Sequence, residues 1–282
     1  MKVLASVNKV PILIYHSISS AATPKFRQFA ISPGAFGEQM SYLHQQGFTP
    51  VTVTQFIRVR SQGAFAPGER PIILTFDDGY ADFYTDALPI LRQYNFTATL
   101  FVTTAFVEGA SRWLRRERET SRRMVSWRQL SEIVKYGIEC GAHTHTHPQL
   151  DTISAPAARN EMAHSKELLE DHLGQEVFSF AYPYGYQTAR LRQLARETGY
   201  TSACAVRHAK SSLYDDAFCL ARLMVHADTD LNTFTALLSD GNTSPLVAAH
   251  TIYLRARTPA WQFIRRSTAP VTRYFRGGNL TS

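Results

Sequence analysis

The stretch PIILTFDDG, Pro71 to Gly79, decides how the rest of the chain is read. An apolar run broken only by Thr75 stops abruptly at two adjacent carboxylates, Asp77 and Asp78, and a glycine. Such a run describes a strand buried on both faces, the situation of a parallel sheet covered by helices. Acids at the C-terminal end of a barrel strand stand at the mouth, where active sites form. A plain turn would account for one Asp and the Gly. Two neighbouring carboxylates repel each other unless a cation or a shared proton relieves them, so the pair reads as a site.

Working outward, similar apolar runs recur at Val10 to Tyr15, Ala98 to Thr103, Ile138 to Ala142, Val177 to Tyr182, Thr201 to Val206 and Leu220 to Val225. Amphipathic segments separate them, with boundary signals of their own. Ser32-Pro33 opens a helix that Gly47 closes, with Phe36, Met40 and Leu43 on its apolar face. Ser126 to Tyr136 before Gly137, and Ser154 to Leu173 before Gly174, repeat the pattern. Strands alternating with helices place a parallel sheet inside and helices outside, and a count of about seven strands suggests a βα barrel of the α/β class. One segment breaks the rhythm: Ala110 to Arg123, rich in arginine with Glu117 and Glu119 interleaved, reads as an exposed loop or short solvated helix.

The second chemical signal is GAHTHTHP, Gly141 to Pro148, which again follows an apolar strand. Three histidines within five residues suit a metal better than a core. His143 and His147 have the i, i+4 spacing of a zinc-binding helix, but position 144 is Thr where a metalloprotease helix carries its Glu, and Gly141 and Pro148 oppose a regular helix. The base must therefore come from elsewhere, and the Asp pair is the obvious donor. Two imidazoles and one carboxylate leave coordination positions open for water and substrate. The remaining carboxylate is then free to take a proton from that water. His145, between the two outer histidines, is expected to point away into a supporting role.

These two motifs resemble those of the polysaccharide deacetylases, carbohydrate esterase family 4. TFDDG at Thr75 to Gly79 is similar to the family's first motif and HTHTH at His143 to His147 to its second. The resemblance spans about Pro11 to Thr235 and implies a distorted, incomplete (β/α)7-type barrel of the α/β class, with Asp77 as base and Asp78, His143 and His147 holding a divalent metal. Zinc is the expected ion, with cobalt, nickel and manganese as alternatives. It also implies that the backbone N–H of Tyr184 stabilises an oxyanion. The third motif departs from the family's Arg-x-Pro-Tyr-Gly: here it is AYPYG, Ala181 to Gly185, without the arginine that orients the base. Arg222, just before the end of the last strand, is the candidate replacement. The family's late histidine, which protonates the leaving amine, is matched nearest by His226 in LMVH, one residue out of step, and His16 at the end of the first strand is a rival.

The implied reaction is removal of an N-acetyl group from an amino sugar in a poly- or oligosaccharide, with hydrolysis of a non-sugar C–N bond and a non-catalytic glycan-binding module as alternatives. Tyr80, Pro183 and Tyr186 are candidate substrate contacts, and Trp127 and Tyr182 are further aromatic residues near the motifs. The remaining composition constrains partners. Net charge is +7, yet residues 241–282 alone hold six arginines and no acid, so residues 1–240 are nearly neutral. The expected organisation is a barrel over 1–240 and a basic extension over 241–282, whose Trp261, Phe263, Tyr274 and Phe275 fit a packed barrel-end cap followed by a disordered terminus, with peripheral contact to an anionic membrane surface or an acidic glycan as the alternative. No nucleic-acid motif accompanies that charge. The apolar stretch Val3 to Val7 falls short of a signal-peptide core, which sets a cytoplasmic expectation. Cys140, Cys204 and Cys219 are odd in number, lack C-x-x-C spacing and are expected as buried thiols.

Overall fold

The structure is a computed structural model, and it describes residues 9–63 and 65–239. Each of the seven apolar runs contributes a strand to one curled parallel sheet: β1 (Ile12–Tyr15), β2 (Pro71–Phe76), β3 (Thr99–Val102), β4 (Glu139–Ala142), β5 (Ser179–Ala181), β6 (Ser202–Cys204) and β7 (Leu223–Met224). Their order is β6-β5-β4-β3-β2-β1-β7, with a short strand at Thr49–Pro50 also paired to β2. The sheet curls into the expected incomplete barrel. Most runs are shorter as strands than their apolar extent, and two of them show a cause. Pro11 has no N–H to give the ladder, and Lys9–Val10 pairs antiparallel with Ser211–Ser212 instead. The run from Leu220 crosses the barrel's opening: Leu220 bridges to Cys204, and three residues later Leu223 pairs with Leu13.

The helices are α1 (Pro33–Gln45), α2 (Val53–Gln62), α3 (Leu88–Gln93), α4 (Trp127–Lys135), α5 (Ala155–Leu173), α6 (Ala189–Glu197) and α7 (Leu231–Leu238). Their starts are fixed by side chains that accept orphan backbone N–H groups: Ser32 from Ala35, Ser126 in a capping box with Gln129, Ser154 from Ala157. Alternation along β2 divides the core. Ile72, Leu74 and Phe76 pack outward beneath the helices, in one cluster with Phe36, Met40, Leu130 and Met162. Ile73 belongs to the other cluster, with Ile12, Phe101, Ala181, Cys204 and Leu220. Val53 and Phe56 of α2 join that second cluster, which sets α2 against the inner face of the sheet.

Polar groups at the strand starts hold that arrangement. Glu139, opening β4, accepts from the backbone N–H and hydroxyl of Thr54 at the head of α2 (3.0 and 2.8 Å), from Thr99 (3.2 Å) and from Ser179. All three cysteines are free and buried, as their apolar surroundings suggest. Among the described residues no helix is long and apolar enough to cross a membrane. The basic segment 241–282, with its aromatic residues, lies outside the described residues.

Candidate active site

At the C-terminal end of the sheet the backbone is forced into unusual shapes. Asp78, Thr144, His147 and Tyr184 all have positive φ (75°, 67°, 60° and 61°), although none is glycine. Left-handed backbone at such residues is held only where packing over-determines it, and it concentrates at functional sites. The neighbouring glycines leave no alternative. A Cβ on Gly141 would come within 2.6 Å of the Phe101 ring, and one on Gly185, itself at φ 73°, within 2.5 Å of Val206. These close approaches draw β4 against β3 and the loop after β5 against Val206, and the loops after β2, β4 and β5 border one cleft of about 640 Å³.

Asp78, His143 and His147 are buried at its floor, and one ligand atom from each lies within 4.8 Å of the others. His143 Nε2 is 3.4 Å and His147 Nε2 3.2 Å from Asp78 Oδ1. That oxygen is buried and makes no hydrogen bond among the described residues. Burial works to raise the Asp78 pKa, but His147 and His143 outweigh it and hold the carboxyl well below its ordinary range. The His143 Nδ1 atom is 2.8 Å from the Ala181 carbonyl, which can only accept, so Nδ1 carries a proton and Nε2 is the atom turned toward Asp78 and the cleft. An orphaned buried carboxylate oxygen facing an imidazole is the donor chemistry a divalent cation requires, and the three residues fit one.

Asp77 is turned to a different partner. Arg222, fully buried, grips it in a two-point fork, Nη1 to Oδ1 at 2.7 Å and Nη2 to Oδ2 at 2.8 Å. The guanidinium is itself aligned by Thr75 Oγ1 (3.1 Å) and the Ala205 carbonyl (3.2 Å), which explains a threonine within the apolar run of β2. Burial pushes the Asp77 carboxyl up, and the charges of Arg222 and His143 more than reverse it, leaving the pKa below its ordinary value. The arginine absent at Ala181 thus has a geometric counterpart from the far end of the chain.

The histidine loop is held from behind. Glu161 of α5, buried, accepts from the Thr146 backbone N–H (2.7 Å) and hydroxyl (2.6 Å). His145 turns outward to Thr104 Oγ1 (3.0 Å) and stacks edge-on with His164. The two remaining candidate histidines part company. His16 lines the cleft beside Asp77 and Asp78, with burial pushing its pKa down against the pull of those carboxylates, whereas His226 is not among the lining residues.

Among the aromatic candidates, Tyr184 and Tyr186 line the cleft, and Tyr184 stands 5.0 Å from the His147 ring. Tyr80 does not: it is fully buried, with Trp113 stacked over it at 6.2 Å, so no face remains for a sugar. Pro183 and Tyr182 are also buried away from the cleft, Tyr182 bonding the Phe218 carbonyl (3.1 Å), while Trp127 stacks on His172. The wall instead comes from the arginine-rich insertion. That segment is neither a helix nor a detached loop: Ala110 and Arg123 bridge antiparallel, and Trp113 folds back to stack on His147 at 5.1 Å. A single tryptophan among arginines was the only signal in the sequence for that contact.

Comparison with known proteins agrees with this geometry. The family model described as polysaccharide deacetylase matches residues 65–203. YxkH of Bacillus subtilis (strain 168), which carries the name polysaccharide deacetylase provisionally, is 29% identical over 230 residues, 82% of this chain and 76% of that protein. A poly-beta-1,6-N-acetyl-D-glucosamine N-deacetylase of Staphylococcus aureus (strain MSSA476) is 21% identical over 241 residues, 78% of this chain and 80% of that protein. The structure of the Streptococcus pyogenes deacetylase PplD in complex with acetate superimposes with a TM-score of 0.71 at 25% identity, covering 83% of this chain and all of that one. With the DDG and HTHTH motifs meeting at the mouth of this curled sheet, the chain is similar to the polysaccharide deacetylase family in its motifs, in the stretch that the family model matches and in its fold.

Proposed function

We propose that the protein is a metal-dependent deacetylase that hydrolyses the N-acetyl group of an amino sugar within a glycan and releases acetate. The observation that carries this reading is the convergence of Asp78, His143 and His147 beside a second carboxylate locked to Arg222. Those three residues would hold the divalent cation, which supplies Lewis acidity toward the amide carbonyl and lowers the pKa of water. Zinc suits the His₂Asp set, and cobalt, nickel or manganese would fit the same donors.

The chain's own groups divide the remaining work. Asp77, kept ionised by Arg222, accepts the proton of the attacking water. The backbone N–H of Tyr184, on a loop held by positive φ, donates to the oxyanion of the tetrahedral intermediate. His16, already in the cleft, delivers a proton to the departing nitrogen, so the amine leaves neutral and acetate remains. Tyr184, exposed on the cleft wall, offers its ring to the sugar, with Tyr186 stacked beside it at 6.2 Å.

The test is acetate release from a β-1,6-linked N-acetylglucosamine oligomer, chosen because the Staphylococcus aureus relative is named for that polymer. Release that stops with a chelator and returns with added zinc or cobalt supports the reading. No release from any acetylated glycan, with turnover of small amides or imides, would assign the same machinery to a non-sugar C–N bond.

A further inference from the structure

The insertion between β3 and α4 forms one wall of the cleft, and its charges are sorted by position. Its internal ion pairs point inward. Arg122 reaches Asp82 (2.9 Å), Glu119 (2.8 Å), the Ser17 hydroxyl (2.9 Å) and the Ala21 carbonyl (2.6 Å), and lies over the Phe26 ring at 4.8 Å. Glu119 also accepts from the Thr23 backbone N–H (3.0 Å), and the Thr23 hydroxyl donates to the Glu117 carbonyl (2.8 Å). This network ties the insertion to the loop that carries Lys25. It also uses up the acids Asp82 and Glu119 and one arginine.

What remains outside is cationic. Lys25 and Arg116 are exposed and line the cleft, and Arg112, Arg115 and Arg118 are exposed on the same insertion. Among the described residues none of these five side chains makes an ion pair or hydrogen bond. Glu117, partly buried, is the one acid of this lip that also lines the cleft. Exposed arginines packed side by side repel, and a fold that spends its acids behind them presents an unbalanced positive face to whatever enters. Guanidinium groups at such a rim match phosphate or carboxylate oxygens two at a time.

We infer that this lip recognises an anionic group on the substrate: the acetylated glycan carries a phosphate or a carboxylate that meets Arg116 and Lys25 while its N-acetyl group lies over Asp78, His143 and His147. The inference rests on the deacetylase reading for its chemistry and on the lip alone for its selectivity. The attraction acts at an exposed rim, so it weakens with ionic strength over a Debye length of about 8 Å.

The experiment compares acetate release by the metal-loaded full chain on three matched N-acetylated oligosaccharides: one neutral, one carrying a phosphate and one carrying a hexuronate. Expected is a kcat/KM about tenfold or more higher for a charged compound, carried by KM and shrinking as salt rises, in line with a charge-assisted contact. The two charged compounds separate phosphate from carboxylate. Lys25→Glu with Arg116→Glu should collapse the charged-to-neutral ratio to one or below, and Arg116→Lys should retain part of it. Equal kcat/KM on all three compounds, or an anionic preference that survives the double charge reversal, overturns the inference. If no compound releases acetate, the deacetylase reading fails separately, and calorimetric binding of the same three compounds decides the lip. Anionic preference lost in the double variant then supports it, and no preference refutes it.

Discussion

Replacing Arg222 with methionine would remove the positive half of a buried pair while leaving the volume nearly filled. The fork closes at 2.7 and 2.8 Å with neither side chain appreciably exposed. Breaking such a pair leaves an uncompensated charge in the interior and costs about 3–5 kcal/mol. For a chain of this size that lowers Tm by about 6–20 °C, taking about 2–4 °C per kcal/mol. The pH dependence has a definite sign. In the native protein Asp77 has a depressed pKa, so its contribution is fully present above the unfolded carboxyl value and is lost as pH falls through the lower folded value. Without Arg222, burial is opposed only by the neighbouring histidines, so the folded pKa rises from its native value. The variant's penalty is then largest near neutral pH and fades as the carboxyl protonates, so the difference from native protein narrows between about pH 7 and about pH 4. Thermal melts of both proteins across that range, with chelator present throughout, measure the gap. Adding Asp77→Asn to the methionine variant should recover much of the loss, and Arg222→Lys, which keeps charge but not the fork, should fall between. A loss below about 1 kcal/mol at pH 7, the range of an exposed pair, or a gap that does not change with pH, would refute the reasoning.

Glu161→Gln removes the charge that holds the Thr146 N–H and hydroxyl behind the histidine loop. Metal affinity should weaken about 10- to 100-fold, the usual effect of losing an outer-shell partner, as read by competition with a chelator of known strength. His16→Ala should reduce acetate release by about 10²-fold or more with metal content retained, the contribution of a positioned acid, and His226→Ala should change it far less. The reverse ranking in the same assay would return the proton-donor role to His226.

The main frame was legible because it is written locally. Strands buried on both faces must be apolar throughout, so β1 to β7 appear as runs, and helix caps such as Ser126 with Gln129 are readable over four residues. The Asp77–Asp78 and His143–His147 pairs were legible because each placement is costly without a cation or counter-charge. What escaped depends on residues distant in sequence. No local pattern brings Glu161 to Thr146, or shows that Trp113 covers Tyr80 and removes it from the sugar's reach. Arg222 was suggested by its place before a strand end, but the fork to Asp77, 145 residues away, and its alignment by Thr75 become visible only when the curled sheet brings β2 and β7 to either side of β1. The charge sorting of the insertion is of the same kind. Interleaved arginines and glutamates look balanced in sequence, and folding turns Glu119 inward while leaving most of the arginines out.

The account turns on Asp77 acting in the chemistry while Asp78, His143 and His147 hold the ion. The most direct measurement is acetate release from the β-1,6-linked N-acetylglucosamine oligomer by native protein and Asp77→Asn, each with its metal content determined on the same sample. The account predicts about one zinc or cobalt per chain in both proteins, with release by Asp77→Asn lowered by about 10²- to 10⁴-fold, the span of a lost general base. Native-like release by Asp77→Asn with metal bound, or active native protein that holds no metal, would contradict it.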